Sequence, residues 1–172
     1  MAMPADSPTP LVPPELGATI TFDVRHILVP IDFSELSGMA LATAADLARR
    51  FSAHMTLLHV YPVPGYVLPD GFVPAGPEVL AQVEARTQES LKAWQTEGQR
   101  LSGASVEIAS SVGHAATEIT QCALDRGVDL IVIGSHGRTG FAHLLLGSVA
   151  EKVLRSAPCP VLTMRAPKDV KA

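Results

Sequence analysis

The chain carries five short apolar runs, none long enough for a helix, each separated from the next by a segment with helical spacing. The runs are residues 26–31 (HILVPI), 55–60 (MTLLHV), 104–110 (ASVEIAS), 129–133 (DLIVI) and 160–165 (PVLTMR). Runs this short suit buried strands. Between them, helices are predicted over 35–52, 78–101, 115–126 and 147–156. Strict alternation with right-handed crossovers requires an α/β fold: a doubly wound, mostly parallel five-stranded sheet with helices on both faces. Apolar residues make up 47% of the chain but aromatics only 5%, as expected where Ala, Val and Leu fill the space between a parallel sheet and its covering helices.

Local signals place the element ends. Pro30 cannot donate to a ladder, so pairing of the first strand should end there. Ser34 is a capping residue for the first helix, with Glu35 in its first turn and Arg49 and Arg50 in its last. Its apolar stripe reads Leu36, Ala40, Thr43, Leu47 and Phe51. The second helix shows Leu80, Val83, Thr87, Leu91, Trp94, Gly98 and Leu101 at the same spacing. Gly127 closes the third helix and Pro158 ends the fourth. Residues 61–77 hold five prolines and three glycines and read as a loop, long enough to suggest a functional or mobile segment.

The 172 residues fit one domain, able to bury roughly 70% of its unfolded surface without disulfide or metal. Residues 1–23 contain five prolines and read as a disordered or loosely docked arm. The folded domain spans 24–166, followed by a tail at 167–172. Net charge is −4, but the arm holds Asp6, Glu15 and Asp23 and no basic residue, leaving 13 basic and 14 acidic side chains elsewhere. That balance offers no footprint for nucleic acid or an anionic membrane. Cys122 and Cys159 form no ligand spacing and read as free, buried thiols. With no leader pattern and no apolar run approaching eighteen residues, the expectation is a soluble cytoplasmic protein.

Ligands of such sheets bind beyond the carboxyl ends of the strands, where strand order reverses. Two loops there stand out. One is Pro30-Ile-Asp32-Phe-Ser34; the other runs from Gly134 through Gly137 to Gly147 and Ser148. Gly134 and Gly137 would let backbone N–H groups approach a phosphate, and Gly147-Ser148 opens a helix whose first N–H groups lack intrahelical partners. No Gly-Lys-Ser/Thr closes the loop and no G-x-G-x-x-G occurs, which disfavours a P-loop NTPase or an ordinary dinucleotide fold. Asp32 has two readings, ligand contact or satisfaction of nearby loop N–H groups. A phospho-acceptor role would need an acidic cluster and a partner Lys that this loop does not show. His136 and Arg138 could approach a phosphate, with Arg138 the loop's one obvious cation. The six histidines show no metal-ligand spacing, and no nucleophile elbow or acid–base pair marks a catalytic set.

The spacing Gly-x2-Gly-x9-Gly-Ser, with Ile27-Leu-Val-Pro30-Ile-Asp32-Phe-Ser-Glu35, Leu57-Leu-His-Val60 and Cys159-Pro-Val161-Leu, resembles the ATP-binding universal stress protein family across residues 25–165. The resemblance implies sheet order 3-2-1-4-5 and a crevice between the first and fourth strands. It implies that Asp32 and the Val60 backbone face adenosine, and that Gly134, Gly137, Gly147 and Ser148 hold phosphates beside Val149. Pro30 and Ile133 complete that set, and loop 61–77 lies near the adenine. The implied ligand is ATP, with or without Mg²⁺, in a stress-response module whose nucleotide state tunes conformation or association. A member without nucleotide that acts as a dimeric interaction protein, and a weak ATPase, are the other readings. The resemblance also implies a homodimer through the last strand, whose Val161, Leu162 and Met164 carry no charge to discourage edge pairing.

Overall fold

The computed structural model describes residues 23–68, 70–135 and 146–165. The arm through residue 22, the tail from 166 and the middle of the glycine-rich loop lie outside the described residues. The strands are β1 (His26–Pro30), β2 (His54–Tyr61), β3 (Gly65–Leu68), β4 (Gly71–Pro74), β5 (Val106–Val112), β6 (Leu130–Gly134) and β7 (Val161–Met164). The helices are α1 (Glu35–Phe51), α2 (Pro77–Ser102), α3 (Ala115–Asp125) and α4 (Ser148–Ser156). One five-stranded sheet runs β5-β2-β1-β6-β7, all parallel. Counted over the five sequence runs, this is the expected 3-2-1-4-5. Among the described residues no helix is long and apolar enough to cross a membrane.

Strand side chains alternate between two apolar clusters, as a period of two requires. Ile27, Val29, Met55, Leu57 and Val132 pack under α1 and α2. Leu28, Leu58, Ile131 and Ile133 pack under α3 and α4. The described ion pairs, such as Arg50–Asp46 and Arg126–Glu107, lie on the surface and add little beside these clusters.

Three readings need correction. First, α1 is turned from the face expected. Its buried side is Ser37, Ala40, Leu41, Ala44, Ala45 and Ala48, while Phe51 is exposed. The stripe of larger apolar residues misled because this helix lies close to its neighbours, and closeness selects alanine. Second, residues 61–77 are not all loop. β3 and β4 form an antiparallel hairpin, with Gly71 at φ 133°, a value L side chains rarely adopt. Pro62, Pro64 and Pro77 flank the hairpin, while Pro74 closes its second strand, leaving the short ladder room to form. Third, the middle run begins at Val106 rather than 104, because Gly103 ends α2 in the left-handed region and the Ser102 hydroxyl takes the Ala104 N–H at 3.0 Å. The α2 stripe is as expected, and Ser34 does cap α1, accepting from the Ser37 N–H at 3.2 Å.

At the amino end of the sheet, His26 is buried between strands. Its Nδ1 lies 3.2 Å from the Arg126 carbonyl, which can only accept, so Nδ1 carries the proton. Nε2 then accepts from the Thr56 hydroxyl at 2.8 Å. The His54 ring stacks on it at 4.1 Å. Burial, followed by the neighbouring His54, lowers the His26 pKa below the ordinary 6.5. The unfolded chain therefore takes this proton first. The corresponding stability is complete above about pH 6.5 and is lost as pH falls through the depressed folded value. Urea unfolding followed from pH 7.5 to 5 should show falling stability, with a shallower slope in His26→Phe. Equal slopes in both proteins would remove His26 as the cause.

Candidate functional site

The site begins with a missing N–H. In β1, odd residues bond toward β2 and even residues toward β6: the Arg25 carbonyl accepts from His54 N–H and the His26 carbonyl from Asp129 N–H. Ile31 N–H returns to the Leu58 carbonyl of β2 at 2.8 Å. Residue 30 would therefore donate toward β6, and Pro30 cannot. The β1–β6 register accordingly runs Ile27↔Leu130 and Leu28↔Ile131 and stops. On the outer sides pairing continues, to Pro30↔Leu58 with β2 and to Gly134↔Met164 with β7. The two central strands part at their carboxyl ends while their neighbours hold them in the sheet.

Beyond the parting, the β6 exit is tied down. Ser135 is buried, its N–H donating to the Met164 carbonyl at 2.7 Å, and its carbonyl accepting from Gly147 N–H at 2.7 Å. The glycine-rich loop thus leaves and returns at one point, delivering Gly147 to the start of α4. Gly147 sits at φ −75° and ψ 155° and has no side chain to cap the helix, so Ser148, Val149 and Ala150 present N–H groups that no capping side chain takes. The start of α3 is similar, because His114 at the cap position makes no side-chain capping bond. Gly113 precedes it at φ 153°, where a Cβ would lie 2.8 Å from the Glu118 carboxylate. That carboxylate folds back to accept the Ser111 hydroxyl.

These two helix starts face one cavity of about 400 Å³. It is lined by His114, Ala115, Ala116 and Thr117 from α3, and by Ser148, Val149 and Lys152 from α4. Two helix dipoles, two hydroxyls and an ammonium converge there, with no carboxylate among the described lining residues, an arrangement suited to an anion.

The expected residues distribute as follows. Ser148 and Val149 line the cavity, and Gly147 caps the helix that carries them. Pro30 and Ile133 are buried at the parting of β1 and β6. Val60 packs in the same apolar cluster as Ala115 and Ala116. Gly134 ends β6. Asp32 lies on the turn after β1, where its Oδ1 accepts from Ser34 N–H at 3.0 Å, the loop-satisfying bond weighed above. His136, Gly137 and Arg138 lie outside the described residues. Lys152 and the α3 start were missed. Lys152 was legible, since Ser148 and Lys152 stand at i and i+4 on one helix face. The α3 start was not, because only packing brings it to α4. Cys122 and Cys159 are half-buried rather than buried, and burial raises both thiols above their ordinary value, so neither is an activated nucleophile.

Residues 23–165 match the Universal stress protein family. The chain belongs to that family. Universal stress protein MJ0531 of Methanocaldococcus jannaschii is 34% identical over 146 residues, covering 84% of each chain. Universal stress protein UspA from Lactobacillus plantarum superposes with a TM-score of 0.70 at 26% identity, covering 83% of this chain and 98% of that one. The universal stress protein from Archaeoglobus fulgidus in complex with dAMP shares the fold, with a TM-score of 0.57 and 24% identity over 82% of this chain and 98% of its own.

If Pro30 is what parts the strands, Pro30→Val should extend the ladder by one bond in this universal stress protein. The new residue-30 amide should then be protected from hydrogen exchange at least tenfold, by bonding to the Val132 carbonyl. A freely exchanging amide there would assign the parting to another cause.

Proposed function

We propose that this universal stress protein binds ATP, with or without Mg²⁺, and that nucleotide state tunes its conformation or association. The observation that carries the proposal is the convergence of the α3 and α4 starts, which follow the carboxyl ends of β5 and β6, on one cavity. A polyphosphate suits two uncapped helix starts and an ammonium better than a neutral ligand does. The dAMP bound by a protein of this fold fits an adenine nucleotide. In the proposed arrangement Ser148, Gly147, Gly134 and Gly137 meet the phosphates, with Lys152 joining them from one turn below Ser148. Asp32, Pro30 and the Val60 backbone lie toward the nucleoside. The role proposed is binding, with at most slow hydrolysis; among the described residues the cavity is lined by anion-binding donors.

Titration calorimetry on the full chain tests the assignment. Ser148→Ala should weaken ATP binding by about 0.5–3 kcal/mol, the range for a hydrogen bond to a charged group. Lys152→Ala should weaken ATP by about fivefold, or ~1 kcal/mol, and AMP by less, because its partner is phosphate charge. Wild-type affinity for ATP in both variants would refute the cavity as the phosphate site.

Association is proposed through β7. Within the described sheet that strand pairs only with β6, and Leu162 is exposed while Val161 and Met164 are half-buried against the two clusters. An uncharged edge of this kind can pair antiparallel with its own copy. Sedimentation equilibrium at micromolar concentration should give a dimer that Val161→Lys or Leu162→Pro weakens. A monomeric wild-type protein would refute it.

A further inference from the structure

Two described non-glycine residues have positive φ, Ser52 at 57° and Phe33 at 63°. Ser52 follows the end of α1, where a short polar residue enters the left-handed region with little strain. Phe33 is bulky, and such a residue there is an outlier that its surroundings must enforce. It lies between Asp32 and the α1 cap, on the turn at the open end of β1.

The enforcement is visible. The Phe33 ring sits 4.6 Å from the His59 ring of β2 and 5.8 Å, edge to face, from Trp94 of α2. His59 also holds the turn by its other property. Its Nδ1 is 2.6 Å from the Ile31 carbonyl, an acceptor only, so the imidazole donates there. Ile31 is thus fixed at both ends, its N–H on Leu58 and its carbonyl on His59. Ser34 is fixed on both sides too, by Asp32 Oδ1 at its N–H and by Ser37, whose Oγ donates to the Ser34 carbonyl at 2.9 Å. Between these pinned neighbours, Phe33 is held among the described residues by the packing of its ring on His59, Trp94 and the core cluster under α1 and α2.

We propose that Phe33 is a positioning residue: His59 and Trp94 clamp its ring, the clamp maintains the left-handed backbone, and that backbone sets where Asp32 stands beside the parting of β1 and β6. The effect on ligand rests on the nucleotide reading above; the clamp itself does not. Trp94 is the chain's single tryptophan and packs over Gly38 of α1 as well as on Phe33. A ligand that engages the turn therefore shifts Trp94 emission, and α2 is mechanically linked to the site.

Phe33→Gly separates the elements of this account, because glycine takes φ 63° without strain but offers no ring. Phe33→Tyr keeps the ring, and His59→Ala removes the ring that stacks on Phe33. In the nucleotide-free full chain, Ser34 amide exchange should accelerate at least fivefold in Phe33→Gly and His59→Ala and stay at the wild-type rate in Phe33→Tyr. ATP affinity, measured where each variant is folded, should fall at least fivefold in Phe33→Gly and return in Phe33→Tyr. Unchanged Ser34 exchange in the glycine and His59 variants would overturn the clamp. Faster exchange with wild-type ATP affinity would overturn its role in placing Asp32 for a ligand. If the wild-type chain binds no adenine nucleotide, the ligand reading fails, and Ser34 exchange alone decides whether the clamp holds the turn. Should Phe33→Gly not fold, His59→Ala gives both readouts.

Discussion

Pro30 withholds one hydrogen bond, and the position at which it does so organises the functional end of the molecule. Ligands of such a sheet bind beyond the carboxyl ends of its strands, at the point where strand order reverses. Here the even-numbered donors of β1 face β6, and the last of them is a proline. Pairing with β2 is carried by odd residues and is unaffected, so β1 stays in the sheet while its other edge opens. Had the proline stood one residue earlier or later, the break would have fallen against β2, away from the reversal of strand order. The tertiary amide of Pro30, which has no N–H, thus ends pairing where the strand order reverses.

Around that opening the chain concentrates features that are costly elsewhere. Helices α3 and α4 start without side-chain caps, Gly113 before α3 adopts a φ value other residues rarely reach, and Phe33 is held in the left-handed region. Capping alone does not mark the site, since α2 also starts without a side-chain cap at Gly76, while the Ser34 cap of α1 lies on the turn beside Asp32. What sets this end apart is the strained Phe33 backbone and two helix starts that share one cavity. The remainder of the fold supplies the rigidity. Two apolar clusters grip the sheet from either face, and the alanine side of α1 brings that helix close against it.

How much of this was legible can be argued from particular residues. The five apolar runs, the α2 stripe from Leu80 to Leu101 and the Ser34 cap are local signals and could be read directly, because period, propensity and capping act within a few residues. The glycine spacing from Gly134 to Ser148 pointed to an anion loop for the same reason, and residues 136–145 within it remain expectations. The α1 face is less legible, because Leu36, Leu47 and Phe51 form the more apolar stripe, whereas close packing against the sheet and α2 buries Ala44, Ala45 and Ala48. The hairpin at 65–74 was hidden by its prolines and glycines, which mark turns and also bound very short ladders.

By itself the sequence determined the order and type of the main elements, the place where β1 must stop pairing, and the backbone freedom of the glycine loop. Each follows from covalent chemistry or from spacing within one segment. Only the tertiary structure decided that the start of α3 faces that of α4, that Lys152 and His114 share a cavity with Ser148, and that His59 and Trp94 close on Phe33. These residues lie far apart in the chain, and nothing local to any of them encodes its neighbour. Their meeting is fixed by the right-handed crossovers and by the burial of two separate apolar faces, which leave the packed sheet one arrangement in which all of them converge at its carboxyl end.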